Sequence, residues 1–141
     1  MRVLDLNLLL YAVNRDTPHH SKARRWLSEA ISGEAPIAIP WVVVLGFLRI
    51  STNPRVFPRP LSPEQALSVV DGWLTRPCVR ILDPGPEHWR VFRGLLAESG
   101  LAGNLTTDAH LAAIAIEHGA ELVSTDTDFA RFPGLRWIDP L

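Results

Sequence analysis

The sequence predicts an α/β protein with one parallel sheet and helices on both of its faces. Two observations carry that expectation. Short apolar runs rich in β-branched residues alternate with longer segments whose apolar residues recur at helical spacing. No repeat, linker or low-complexity stretch breaks the alternation over 141 residues, a length at which one chain can bury a substantial core. A single domain over residues 1–141 and a sheet of four to five strands are expected.

The elements follow in order. Val3-Leu4 reads as a buried strand ending at Asp5, and Leu8 to Val13 continues apolar into a helix. Thr17-Pro18 reads as a helix start, Thr as N-cap and Pro at the first helical position. From there Ala23, Trp26, Leu27, Ala30 and Ile31 share one face of a helix ending near Gly33. Ile37 to Ile39 forms a second strand, followed by Pro40 and an apolar helix from about Trp41 to Ile50. Asn53 to Pro60, with three prolines, is a loop. Ser62-Pro63-Glu64-Gln65 has the Ser-x-x-Gln form of a capping box and opens a helix burying Ala66, Val69, Val70, Trp73 and Leu74. Val79 to Leu82 is a third strand. Pro84 to Ser99 is a helix with Trp89, Phe92, Leu95 and Leu96 inward, stopped by Gly100. Leu101 to Thr107 is a polar loop, and Asp108 begins an Ala-rich helix that Gly119 ends. Glu121 to Ser124 and Leu135 to Ile138 complete the strands.

Composition narrows the function. Hydrophobic residues make up 47% and charged residues 21%, the profile of a folded globular chain, and the formal net charge is −1. That balance argues against a passive RNA-coating protein. Lys22 is the only lysine, so positive charge comes almost wholly from arginine. Cys78 is a lone cysteine, which excludes an intramolecular disulfide and a cysteine metal cluster and leaves it a packing role. The five histidines show no i, i+4 pair on one helix face, so a zinc site is not expected. Nothing resembles a signal peptide, and the apolar stretch from Ile37 to Leu48 is too short to span a bilayer. A cytoplasmic protein without membrane association is expected.

Three carboxylates then stand out. Asp5 ends the first strand, Asp126 follows the fourth, and Asp108 sits in the first turn of the helix leading into that fourth strand. Singly, each has an ordinary role: Asp108 as a helix cap, Asp126 and Asp128 as turn formers, Asp5 in an Asx-turn. In open α/β sheets, however, ligands bind beyond the carboxyl ends of the strands, and all three converge there. Such a cluster cannot stay ionised without a counter-charge, and Lys22 lies on a helix away from any strand end. Hard oxygen ligands without histidine or cysteine suit Mg²⁺ or Mn²⁺. Metal-dependent phosphodiester hydrolysis is the chemistry this layout favours.

These same segments carry a family resemblance. Val3-Leu4-Asp5-Leu6-Asn7 with Leu8 to Ala12 resembles the opening of PIN-domain proteins. Thr107-Asp108-Ala109-His110-Leu111 and Ser124-Thr125-Asp126-Thr127-Asp128-Phe129 resemble their later acidic motifs. The order and spacing match over nearly the whole chain, with closest similarity to VapC toxins of toxin–antitoxin pairs. Gly46-Phe47-Leu48-Arg49, Asn53 to Phe57 and Trp137 to Pro140 suit a mycobacterial-type subgroup. The resemblance implies a three-layer α/β/α sandwich, a homodimer, and an endoribonuclease using Mg²⁺ or Mn²⁺ that a cognate VapB-type antitoxin inhibits. It implies that Asp5 and Asp108 hold the metal, that Asp126 assists catalysis, that Asn7 supports the site by hydrogen bonding and that Asp128 adds charge. One departure is plain. PIN nucleases commonly carry a glutamate on the helix after the second strand, where this chain has Gly46, and no acid occurs between Glu34 and Glu64. One firmly bound metal ion is therefore expected rather than two. Arg49, at i+3 from Gly46, is a candidate contact for an RNA phosphate or an antitoxin carboxylate, with Arg15, Arg24 and Arg25 behind it. The missing glutamate motivates one alternative, a non-catalytic PIN-like module that binds RNA or protein. Another is phosphotransfer through Asp5, which wants a lysine near the phosphate that the sequence does not offer.

Overall fold

The computed structural model describes residues 1–100 and 103–141. Five short strands form one sheet: β1 (Arg2–Leu4), β2 (Ile37–Pro40), β3 (Val79–Leu82), β4 (Glu121–Val123) and β5 (Arg136–Ile138). Their order across the sheet is β3-β2-β1-β4-β5, and every pairing is parallel. The central position of β1 explains its composition. Val3 and Leu4 are flanked by paired strands and covered on both faces, and neither is exposed.

The helices are α1 (Leu6–Val13), α2 (His20–Ser32), α3 (Trp41–Ser51), α4 (Pro63–Leu74), α5 (His88–Ser99) and α6 (Thr106–Glu117). Strand order moves one way from β1 to β2 to β3 and the other way from β3 to β4. Right-handed crossovers therefore put α1 to α4 on one face and α5 with α6 on the other. Packing agrees: α1 lies on α2 and α3, α3 on α4, and α5 on α6. The expected parallel sheet and three-layer α/β/α arrangement are what is found.

Local chemistry sets most boundaries. Ser62 Oγ accepts from the Gln65 amide at 3.1 Å and Gln65 Oε1 accepts from the Ser62 amide at 2.9 Å, the reciprocal pair its spacing predicts. Gly100 ends α5 in a left-handed conformation, φ 65°, which a Cβ would disfavour. Cys78 is buried and free, its thiol donating to the Ile31 carbonyl at 3.3 Å.

Several expectations are corrected. Thr17-Pro18 forms a turn rather than a helix start: the Thr17 carbonyl accepts from the His20 amide, and α2 begins at His20. The helix expected from Pro84 begins at His88. Glu117 holds the preceding turn instead, its carboxylate accepting from the Gly85 and Glu87 amides at 2.7 and 2.8 Å. Trp89 points outward at 66% exposure, while His88 and Phe92 stack toward α6. Leu74 is also exposed. Helical structure begins before Asp108, with a 3₁₀ turn at Gly103–Leu105 and α6 from Thr106. Leu101 and Ala102, the start of the expected loop, lie outside the described residues. Among the described residues no helix is long and apolar enough to cross a membrane.

The capping box supplies a direct check on this reading of α4. Ser62→Ala should lower unfolding stability by about 1 kcal/mol, seen as a lower urea midpoint with an unchanged slope. A neutral result would mean that α4 does not depend on that cap.

Candidate active site

The carboxyl end of the sheet is where β1 and β4 deliver their last residues side by side. The Asp5 amide donates to the Val123 carbonyl at 3.0 Å, and register places Asp5 level with Ser124. Asp5 is then the N-cap of α1, its carboxylate accepting from the Leu6 amide at 2.7 Å. Its other oxygen accepts from the Ser124 hydroxyl at 2.6 Å. Ser124 Oγ in turn accepts from the Asp126 amide at 3.0 Å. A fully buried serine thus has both its donor and acceptor capacity used, and it joins the ends of β1 and β4.

Asp126 caps a short 3₁₀ helix, Thr127–Arg131, by accepting from the Asp128 amide at 2.9 Å. Phe129 and Phe132 anchor this turn in the core, leaving the aspartates free to face the sheet edge. Asp108 approaches from the first turn of α6. One oxygen each from Asp108, Asp126 and Asp128 lie within 4.8 Å of one another. Asp5 is the fourth acid, coupled by charge to both Asp108 and Asp126.

Electrostatics follow from that crowding. Burial raises the Asp108 carboxyl to about 6, and the charges of Asp5, Asp126 and Asp128 add to the shift. Burial also raises Asp5, aided by Asp126, against the opposing hydrogen bonds from Ser124 and Leu6. Among the described residues, the cation in contact with the group is Arg131, whose Nη2 lies 3.4 Å from Asp128 Oδ1. Four acids against one half-exposed guanidinium leave a strongly negative cluster, and a hard divalent cation is the group such oxygens suit.

The other candidates separate. Asn7 is half-buried in the first turn of α1 and, among the described residues, its side chain makes no hydrogen bond. Arg49 is exposed on the last turn of α3, outside the described ion pairs. Gly46 is buried where α3 meets α1, and a Cβ there would lie 2.6 Å from Leu6 Cδ2. The position of the absent glutamate is therefore filled by a leucine tip.

Sequence reasoning passed over three features. Ser124 ends the expected fourth strand, and the sequence assigns it no partner. Arg131 closes the turn that follows. His88 and His110 meet across α5 and α6 with Nε2 and Nδ1 2.9 Å apart, a contact between helices that no spacing rule within one helix could reveal. Burial lowers both imidazoles, and for His110 the neighbouring His88 lowers it further.

The chain is similar to known proteins over nearly its whole length. A family model described as PIN domain matches residues 2–135. The chain is 44% identical over 140 residues to Ribonuclease VapC37 of Mycobacterium tuberculosis, covering 99% of this chain and 97% of that protein. It is 45% identical over 141 residues to Ribonuclease VapC33 of the same species, covering 100% and 99%. The fold is similar to that in the crystal structure of VapBC2 from Rickettsia felis bound to a promoter DNA fragment. That match has a TM-score of 0.69 at 24% identity and covers 97% of this chain and 96% of the other.

The raised Asp108 carboxyl sets a sign for pH dependence. A carboxyl with a folded pKa above its unfolded value adds stability below the unfolded pKa and loses it as pH rises through about 6. The depressed histidines act oppositely in this window, so the contrast with Asp108→Asn isolates the carboxyl. In EDTA, lowering pH from about 7.5 to about 5.5 should raise the wild-type Tm relative to that variant. Added Mn²⁺ should raise the wild-type Tm at the higher pH and lose its effect toward the lower. Parallel pH profiles for the two proteins would contradict the electrostatic picture.

Proposed function

The chain belongs to the PIN-domain family, and from that membership together with the acid cluster we propose that it is a metal-dependent endoribonuclease. In this reading it is the toxin of a toxin–antitoxin pair, acts as a homodimer on RNA, and is held inactive by a VapB-type antitoxin. Residues 1–141 form one PIN domain. The observation that carries the proposal is the convergence of Asp108, Asp126 and Asp128 within 4.8 Å, with Asp5 tethered beside them through Ser124. Close relatives bearing the name ribonuclease VapC support the same chemistry, and similar folds in VapBC complexes support the partner class.

The residues fit Mg²⁺, with Mn²⁺ as a natural substitute. The donors are carboxylate oxygens alone, and the cluster's mutual repulsion is relieved by a divalent charge. Asp108, Asp126 and Asp128 would hold the ion, with Asp5 adding charge and ligand capacity at the β1 end. When bound, it would orient a phosphodiester and lower the pKa of an attacking water. The protein's own part is to keep four acids in place: strand pairing and Ser124 fix Asp5, the 3₁₀ turn fixes Asp126 and Asp128, and α6 presents Asp108. α3 carries no acidic residue, and the tip of Leu6 lies against Gly46, so one ion per chain is the expected stoichiometry.

Gly46 also motivates the second reading, a PIN-like module that binds RNA or protein without cutting. Cleavage of total RNA in Mg²⁺ or Mn²⁺ and in EDTA separates the two. Wild type should cut only with metal, and Asp108→Asn and Asp126→Asn should each lower the rate by at least about 100-fold. Calorimetric titration of wild type with Mn²⁺ should give one site per chain. Metal-independent RNA binding without cleavage would favour the non-catalytic module.

A further inference from the structure

We propose that Arg131 contacts the scissile phosphodiester of RNA, its guanidinium passing from Asp128 to a phosphate oxygen as substrate enters. This inference rests on the ribonuclease reading and assigns a substrate contact within that same site.

Among the described residues the ion pairs are Arg59–Asp16, Arg90–Glu87 and Arg131–Asp128, and the last is the one that touches the acid cluster. An anionic phosphodiester approaching four carboxylates is repelled unless cations face it. One divalent ion leaves net negative charge on four aspartates, and the glutamate that would help hold a second ion is replaced by Gly46 against Leu6. Arg131 is the positive charge the chain itself places there.

Geometry supports transfer rather than a fixed pair. Arg131 Nη2 lies 3.4 Å from Asp128 Oδ1, longer than a normal charge-assisted hydrogen bond, between side chains 51% and 43% exposed. An exposed pair of this kind contributes little to stability and is readily exchanged. The backbone beneath it is not loose. Phe129 is 1% exposed and Phe132 is 3% exposed on either side of Arg131, and Asp126 caps the turn. The guanidinium is thus a mobile fork on a fixed base, and arginine suits two-point recognition of phosphate. A divalent ion held by Asp128 would compete with Arg131 for that carboxylate and leave the fork free to meet substrate. Arg49, the arginine first singled out from sequence, touches none of the four acids.

The test compares wild type with Arg131→Ala and Arg131→Lys. Three quantities are measured: Mn²⁺ affinity by calorimetry, the salt dependence of binding to a labelled mixed-sequence single-stranded oligoribonucleotide in Ca²⁺, and the rate of cutting total RNA in Mn²⁺. Arg131→Ala should bind Mn²⁺ at least as tightly as wild type, because a competing cation is gone. Its slope of log K against log salt should be shallower by about 0.7, the loss of one phosphate contact on a single strand. Cleavage should fall roughly 10- to 100-fold, as for a lost charge-assisted hydrogen bond. Arg131→Lys should recover the salt slope while restoring rate only in part. Unchanged slope and rate in Arg131→Ala would overturn the inference, with wild-type cleavage leaving the ribonuclease reading intact. Weakened Mn²⁺ binding with a matching loss of rate would also overturn it, assigning Arg131 to shaping the cluster. If wild type itself neither binds Mn²⁺ nor cuts RNA, the functional reading fails first and this inference with it.

Discussion

Mutual repulsion among carboxylates governs this molecule's functional edge. Asp5, Asp108, Asp126 and Asp128 arrive from three separate chain segments, and burial makes the charges of Asp5 and Asp108 more costly than in water. A fold that needed only stability would spread them apart or pair them with basic residues. Here one loosely held arginine is the cation in contact with them. The scaffold therefore carries the electrostatic strain, and a bound divalent cation is the natural means of relieving it.

What keeps the acids together is mostly backbone. Parallel pairing of β1 with β4 sets Asp5 beside Ser124, and that serine bonds to Asp5 and to the Asp126 amide at once. The 3₁₀ turn after β4 is pinned by two buried phenylalanines, so Asp126 and Asp128 are aimed by packing behind them. Where α1 meets α3, Leu6 packs against Gly46, and α3 carries no acidic residue. A site without a carboxylate from α3 suits single-ion chemistry assisted by an arginine.

Much of this was legible in the sequence, for identifiable reasons. Strands with short apolar runs and sharp boundaries, such as Ile37 to Ile39 and Val79 to Leu82, announce themselves through burial on both faces. The capping box at Ser62 is a local rule and held to the residue. The general position of sites in parallel sheets points to Asp5, Asp108 and Asp126, whereas the oxygens that lie within 4.8 Å of one another are those of Asp108, Asp126 and Asp128. What stayed hidden depends on tertiary contacts. Trp89 looked like a core residue by its apolar character, yet His88 and Phe92 take the inward positions because His88 meets His110. α5 starts later than its sequence pattern suggests because Glu117, distant in sequence, holds the preceding turn. Ser124 and Arg131 were in plain view, but their partners, Asp5 across the sheet and Asp128 within the turn, give them meaning only once the chain is folded.

The central claim is that these aspartates form one metal site. Anomalous diffraction from crystals soaked in Mn²⁺ tests it most directly. The account predicts a single strong peak per chain, bounded by Asp108, Asp126 and Asp128 with Asp5 alongside. Absence of any peak there in well-diffracting, Mn²⁺-saturated crystals would contradict it.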